Sequence, residues 1–295
     1  YNINMIIAVT GSSGSIGKGL VPLLEKLGHT VVKISSSIEN NEKYVFSYDD
    51  YRNGSIKFDV DILIHLASYN SNLTEDNYHN EITLTDDIVN GLNSIGCKRL
   101  IFFSTSKVYG DNSYLHQEYD ESSALNPSCY YSEAKKECEE LILERSNNLK
   151  FNSIIFRLAP VLNKSTSSSL GKLMKIAGLG IPLLSLSAGE HNKRSFISFS
   201  NLKTVMENVT KNADRTFTNQ IYNLCDDGYI SFNNLLRLNK QSTVIRIPTW
   251  VSNKLLNNPY LKNILLRLYG NFVLHNEKLK TDMSVKLNPT QDHYL

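Results

Sequence analysis

Tyr131 and Lys135 stand four residues apart in Tyr130-Tyr131-Ser-Glu-Ala-Lys135, and four residues is about one helical turn. On a helix the two side chains project from one face, within reach of a shared ligand. An ammonium beside a phenol favours the phenolate and lowers the phenol's pKa from about 10 toward neutrality. Such a tyrosine serves as general base toward a hydroxyl or as general acid toward a ketone. Tyr130 is five residues from Lys135 and points to another face. The same spacing also occurs on ordinary exposed helices, so the pair carries chemistry only if other elements bring a reactant to it.

The element that could do so is at the start of the chain. The run Ile6-Ile-Ala-Val-Thr10 reads as a buried parallel strand, short, partly β-branched and bounded by glycine. Gly11-Ser-Ser13-Gly14-Ser15-Ile16-Gly17 follows and opens a stretch with Ile16, Leu20, Leu23, Leu24 and Leu27 at helical spacing, which Gly28 stops. Val31-Val-Lys-Ile34 completes a β-α-β unit. A helix start leaves backbone N–H groups pointing outward, so a pyrophosphate is held there without a charged side chain, and glycine permits the close approach. The expected cradle is Gly11, Ser13, Gly14, Ser15, Ile16 and Gly17. Ser35 takes the place where a dinucleotide enzyme often carries an acid toward the adenosine ribose. A serine there permits a 2′-phosphate without requiring it, so either NAD or NADP is the expected cofactor.

Further along, Val60 to Ser68 reads as a third buried strand ending in small residues, with Leu66 and Ala67 beside the cofactor. His65, inside that apolar run, is expected to be a core histidine, and Asp49 and Asp50 surface-loop residues with a possible reach to adenine. Tyr78 to Ile95 reads as a helix closed by Gly96, with Asn80 near its start toward the nicotinamide side. Arg99 to Gly110 holds a fourth strand and its exit, so Ser104, Thr105 and Ser106 fall at the carboxyl end, where open parallel sheets bind ligands. Pro127 precedes the long helix that carries Tyr131, Lys135, Cys138, Leu141 and Ile142.

Composition narrows the remaining choices. The 295 residues suffice for one large α/β domain with an appendage. A net charge of +2 from 31 basic and 29 acidic residues provides no field for nucleic acid. Cys97, Cys129, Cys138 and Cys225 lack paired C-x-x-C spacing, which argues against zinc and a disulfide framework, so no metal site is expected. No apolar stretch reaches about 18 residues, and the expectation is a cytoplasmic protein without membrane insertion.

Three motifs in order, the glycine turn, the strand ending Ser104-Thr-Ser106 before Val108-Tyr-Gly110, and Pro127-x-x-x-Tyr131-x-x-x-Lys135, resemble the extended short-chain dehydrogenase/reductases. Within them the chain is similar to the NAD(P)-dependent nucleotide-sugar epimerase/dehydratase branch. The resemblance implies an α/β fold, a Rossmann doubly wound parallel sheet with a smaller C-terminal substrate-binding part. It places the NAD(P)-binding domain at 1–158 and the substrate part at 159–295, with about 196–224 returning to the first. It makes Thr105, Tyr131 and Lys135 the catalytic set, with Tyr131 and Lys135 also touching cofactor. Thr105 hydrogen-bonds the reacting oxygen, and Lys135 holds the nicotinamide ribose.

Arg194, in Arg-Ser-Phe-Ile-Ser-Phe-Ser-Asn-Leu, resembles an arginine that contacts the sugar nucleotide's diphosphate, a role for which a planar guanidinium fork is suited. Arg267 resembles its partner, ahead of an altered signature, His275-Asn-Glu-Lys278. With Thr105 and Ser106 these are the expected substrate contacts. Ser165 to Ser169 reads as a serine-rich linker. Relatives that dehydrate carry Thr-Asp-Glu where this chain has Thr105-Ser106-Lys107, so a 4,6-dehydratase is not expected. The remaining expectation is C4 epimerisation or ketone reduction on a UDP-linked sugar in surface-polysaccharide biosynthesis, by a homodimer. The alternative is a non-catalytic NAD(P)-binding sensor or scaffold of the same fold.

Overall fold

Five apolar runs of the sequence, with two short strands, make one seven-stranded sheet in the computed structural model, which describes residues 4–36, 44–69, 73–115, 117–162, 175–176, 179, 183–216, 219–238 and 243–293. The strands among the described residues are β1 Ile6–Thr10, β2 Thr30–Ser35, β3 Val45–Ser47, β4 Ile62–His65, β5 Arg99–Thr105, β6 Glu118–Tyr119, β7 Asn152–Leu158, β8 Val161–Leu162, β9 Leu183–Ser185, β10 Ile197–Ser198, β11 Gln220–Leu224, β12 Val244–Arg246 and β13 Val273–Leu274. The large sheet has the order β11-β7-β5-β4-β1-β2-β3. Its β2–β3, β1–β2, β1–β4 and β4–β5 pairs are parallel. The chain runs outward from β1 through β2 to β3 and then crosses to β4 on the other side of β1. That reversal is the Rossmann switch point, where the carboxyl ends of neighbouring strands leave a crevice.

Compact packing divides the chain into two units. The first unit comprises Tyr1–Gly110, Leu125–Arg157 and Lys203–Tyr222; the second comprises Asp111–Ala124, Leu158–Leu202 and Asn223–Leu295. Helices α1 Gly17–Lys26, α2 Tyr48–Arg52, α3 His79–Gly91 and α4 Tyr130–Leu149 belong to the first. Its core joins Ala8, Val32, Leu63, Leu100 and Phe102 of the strands to Ile88 and Val89 of α3 and Cys138 and Ile142 of α4. Each such aliphatic or aromatic side chain, fully withdrawn from water, contributes about 1.5–3 kcal/mol before entropy is counted. The sequence-expected helix over Tyr78–Ile95 is α3 plus a 3-10 turn, Leu92–Ile95, closed by Gly96 at φ +62°.

The stretch Glu39–Lys57, which shows little pattern, holds β3 and α2. The three-residue strand is held by β2, in the register Ser35 opposite Ser47. Ser47 then caps α2: its hydroxyl accepts the Asp50 N–H at 2.9 Å, and the Asp50 carboxylate accepts the Ser47 N–H at 2.8 Å. Asp49 pairs with Arg52 at 3.1 Å. Both aspartates are therefore engaged in local helix structure.

The second unit carries three two-stranded parallel pairs, β8–β10, β9–β12 and β6–β13. Leu186, Phe232, Leu236 and Tyr269 form one small core there, and Leu162, Phe196, Ile230 and Leu235 another. The buried Asp226 ties its segments together, accepting from the Ser198 N–H at 2.8 Å, Asn201 Nδ2 at 2.7 Å and the Thr290 hydroxyl at 2.9 Å. Among the described residues no helix is long and apolar enough to cross a membrane. The serine-rich stretch 165–169 lies outside the described residues.

Candidate active site

Steric closeness at the end of β1 explains the glycines. Gly11 turns the chain at φ +67°, which side chains disfavour. A Cβ on Gly11 would lie 2.6 Å from the Ala67 nitrogen and 2.8 Å from the Leu66 carbonyl carbon. One on Gly17 would lie 2.5 Å from the carbonyl oxygens of Gly11 and Ser12, and one on Gly14 would lie 3.2 Å from that of Gly11. The turn is thus packed backbone on backbone against the segment leaving β4. Ser13 and Ser15 are exposed along it, and Ile16 precedes the first residue of α1. All nine sequence-expected cofactor positions of the β-α-β unit and β4, namely Gly11, Ser13, Gly14, Ser15, Ile16, Gly17, Ser35, Leu66 and Ala67, lie at or just beyond the carboxyl ends of β1, β2 and β4. A dinucleotide's pyrophosphate fits at this turn, because the close packing of Gly11 and Gly17 against backbone sets the chain directly at the start of α1, where N–H groups are unpaired.

The Ala67 N–H donates to Thr10 Oγ1 at 3.2 Å, and that hydroxyl pairs with His65 Nδ1 at 2.7 Å. His65 is fully buried, and burial, helped by the Lys135 charge, lowers its pKa from 6.5 to about 3. It is a neutral core histidine, as its apolar strand suggests.

Tyr131 and Lys135 occupy the first turns of α4. Cys129 caps that helix, its N–H donating to Ser132 Oγ at 3.2 Å. Lys135 is buried, and its ammonium donates to the Phe103 carbonyl of β5 at 3.2 Å. Thr105 and Ser106, both buried, follow two and three residues later at the sheet's carboxyl edge. The Thr105 hydroxyl accepts the Lys107 N–H at 3.3 Å and so begins the turn Ser106–Tyr109. Tyr130 is exposed and stacks near Tyr78, ring centres 5.6 Å apart, on the face away from Lys135.

Two features depart from the sequence-based expectation. The acid nearest the pair, Glu81, places Oε1 2.8 Å from Lys135 Nζ. Asn80 is exposed near the start of α3, while Glu81, Thr85, Ile88 and Val89 of the same helix face the core. The second correction concerns Tyr131: its pKa is raised, not lowered toward neutrality. Burial is the main cause and outweighs the Lys135 charge, while Glu81 pushes in the same direction as burial. Spacing within α4 gives no hint of Glu81. The signal that would have found it is the series Glu81, Thr85, Ile88, which puts an acid on the apolar face of a helix.

A second buried ion pair lies one turn farther along α4. Glu139 accepts from Arg157 Nη2 at 2.7 Å and Nε at 3.1 Å, a two-point contact, and also from the Ser104 hydroxyl. Arg157 Nη1 donates to the Tyr109 hydroxyl at 3.0 Å. Burial lowers the Arg157 pKa, but the Glu139 contacts outweigh it and leave the value raised. The network fixes the end of β5, residues 104 to 109, between α4 and β7.

In the second unit Arg194 and Arg267 come together, although not through two side chains. Arg194 Nη1 donates to the Arg267 backbone carbonyl, and its guanidinium lies 5.1 Å over the Phe196 ring. Its Nε is buried and has no protein partner among the described residues. Burial lowers the Arg194 pKa to about 10, so the cation persists at neutral pH. The Arg267 side chain is exposed on the helix Lys262–Tyr269.

The model of the NAD dependent epimerase/dehydratase family matches residues 7–225. The chain belongs to that family. It is 24% identical over 264 residues, 83% of its length and 79% of the relative's, to a UDP-glucose 4-epimerase of Vibrio cholerae. It is also 26% identical over 186 residues, 51% of its length and 42% of the relative's, to a dTDP-D-glucose 4,6-dehydratase of Dictyostelium discoideum. Among solved structures, the UDP-N-acetylglucosamine 4-epimerase of Bacillus cereus superposes with a TM-score of 0.78 at 17% identity, covering 99% of this chain and 96% of that one. The family's dependence on NAD agrees with the glycine cradle, and the structural likeness agrees with the doubly wound sheet.

Proposed function

We propose that this member of the family acts at C4 of a nucleotide-linked sugar, with UDP as the nucleotide, either epimerising or reducing that carbon in surface-polysaccharide assembly. The observation that carries the reading is the seat of Lys135. Its ammonium is bonded to the carbonyl of Phe103 one turn from Tyr131, at the sheet edge where the glycine cradle also opens. When bound, the dinucleotide supplies or accepts hydride. Tyr131 exchanges a proton with the C4 oxygen, and the Thr105 O–H donates to the same oxygen. Lys135 has three N–H donors, of which two face Glu81 and Phe103. The third is left for the nicotinamide ribose.

The 4,6-elimination of water needs a second acid/base beside the threonine. Here the following positions are a buried serine, Ser106, and an exposed lysine, Lys107, and neither supplies a carboxylate. These positions support a C4 reaction over dehydration. Arg194 is the proposed diphosphate contact, since its Nε has no acceptor among the described residues. Arg267 would assist it. A cytoplasmic homodimer associating through α3 and α4 completes the proposal.

The test is to incubate purified protein with UDP-sugars and their 4-keto forms, following nicotinamide absorbance and product stereochemistry. Steady loss of NAD(P)H with a keto sugar identifies a reductase; stereochemical inversion without net loss identifies an epimerase. Neither behaviour with any nucleotide sugar refutes the proposal.

A further inference from the structure

Glu81 is fully buried, and both of its carboxylate oxygens are committed. Oε1 faces Lys135 Nζ at 2.8 Å, while Oε2 accepts the Tyr69 N–H at 2.8 Å and the Ser68 hydroxyl at 3.1 Å. The side chain therefore ties the segment leaving β4 to the lysine of α4. It also changes the charge around Tyr131. Among the described residues the titratable groups facing that phenol are Lys135 and Cys138 of α4, Cys129 at its cap and Glu81 of α3, and of these Lys135 is the cation. Lys135 in turn faces Glu81, Tyr131, Cys138 and the neutral His65 of β4. A carboxylate 2.8 Å from the ammonium leaves the pair without net charge. A phenolate at Tyr131, which is part-buried, would then be a second anion beside a cation already matched.

We propose that Glu81 is a positioning residue that cancels the Lys135 charge, holds Tyr131 as the proton-bearing phenol, and thereby sets this site to reduce a ketone. The inference rests on the C4 reading above and chooses between its two outcomes. In reduction the Tyr131 O–H bond breaks as a carbinol O–H forms, hydride from the reduced dinucleotide makes the new C–H bond, and water reprotonates the phenolate. The ketone is reduced and the dinucleotide oxidised. An epimerase has to begin in the other direction, with Tyr131 taking a proton from an alcohol, and the Glu81 carboxylate opposes that start.

The test reads the proton itself. In unliganded protein carrying carbon-13 at tyrosine Cζ, the Tyr131 resonance is assigned by its loss in Tyr131→Phe and followed against pH in the native chain, Glu81→Gln and Glu81→Asp. Glu81→Gln should move the Tyr131 titration down by about one pH unit or more, the size of effect an unmatched neighbouring cation has. Glu81→Asp keeps the charge and should stay close to the native chain. If Glu81→Gln does not fold, Glu81→Asn carries the same expectation. A Tyr131 titration at the same or higher pH in the folded neutral variant overturns the proposal. A shifted titration in a protein that turns over no nucleotide sugar would refute the C4 reading and leave the role of Glu81 standing. An unshifted one in an active enzyme would do the reverse.

Discussion

Glu139→Gln isolates the energetic value of the buried network behind Thr105. The substitution keeps the size of the side chain but removes the charge that accepts from Arg157 Nε and Nη2, at 3.1 and 2.7 Å, and from Ser104. Arg157 is 3% exposed and Glu139 2%, so water cannot take over the lost bonds. Breaking a buried pair by neutralising one partner costs about 3–5 kcal/mol, because the remaining ion stays desolvated. Against a typical total of roughly 5–15 kcal/mol, that is a large fraction of the stability. It corresponds to a fall in melting temperature of roughly 6–20 °C for a chain of this size. Urea denaturation followed by far-ultraviolet circular dichroism gives the free energy directly. The double variant Glu139→Gln with Arg157→Met removes both charges and should recover at least half of the loss, since an apolar replacement of a whole buried pair is often close to neutral. A single-variant cost below about 1 kcal/mol, the value of an exposed pair, would refute the burial argument. So would a double variant less stable than the single.

The remaining expectations concern the cradle, the phenol and the core histidine. Gly17→Ala puts a carbon 2.5 Å from two backbone oxygens, so NAD(P) affinity measured by calorimetry should fall at least about tenfold, or 1.4 kcal/mol; an unchanged Kd would refute the cradle. Tyr131→Phe should lower kcat by about 10²–10⁴ while dinucleotide binding stays near native, the range a lost proton donor or acceptor gives. Retained turnover would remove Tyr131 from the chemistry. The His65 pKa is about 3 when folded and near its ordinary 6.5 when unfolded, so the unfolded chain takes up the extra proton between those values. The stability contributed by the neutral ring is complete above pH 6.5 and is lost as pH falls toward 3. His65→Gln should therefore show a shallower decline in unfolding free energy across that window, and parallel curves would contradict the assignment.

Legibility in the sequence followed the strength of local pattern. The first β-α-β unit was readable because alternation of apolar run, glycine turn and amphipathic stretch is written in consecutive residues, and β4, β5 and α4 were readable for the same reason. β3 was not, since Val45–Ser47 is too short to show a period and is fixed by β2 beside it. The signature Ser47-x-x-Asp50 was present and is the cap of α2. Tyr131 and Lys135 were legible as a pair, but the direction of the Tyr131 shift was not. It depends on Glu81, fifty residues upstream of Tyr131, and on a degree of burial that no spacing reveals.

The miss at Tyr131 has its physical origin in α4. Tyr131, Lys135 and Glu139 fall at successive i, i+4 positions, a polar stripe on a helix whose Cys138 and Ile142 belong to the core. In sequence such a stripe looks like a solvated face, because a lone lysine or glutamate is rarely worth burying. It becomes tenable only when partners arrive from elsewhere: Glu81 from α3 for Lys135, and Arg157 from β7 for Glu139. The helix is then held on both sides by opposite charges, and rotating it would break both pairs at once. This fixes Tyr131 in azimuth as well as in height, without any contact to the phenol itself. The placement of Tyr131 thus follows from the two paired ions, and both pairs have to be kept together when either helix is altered.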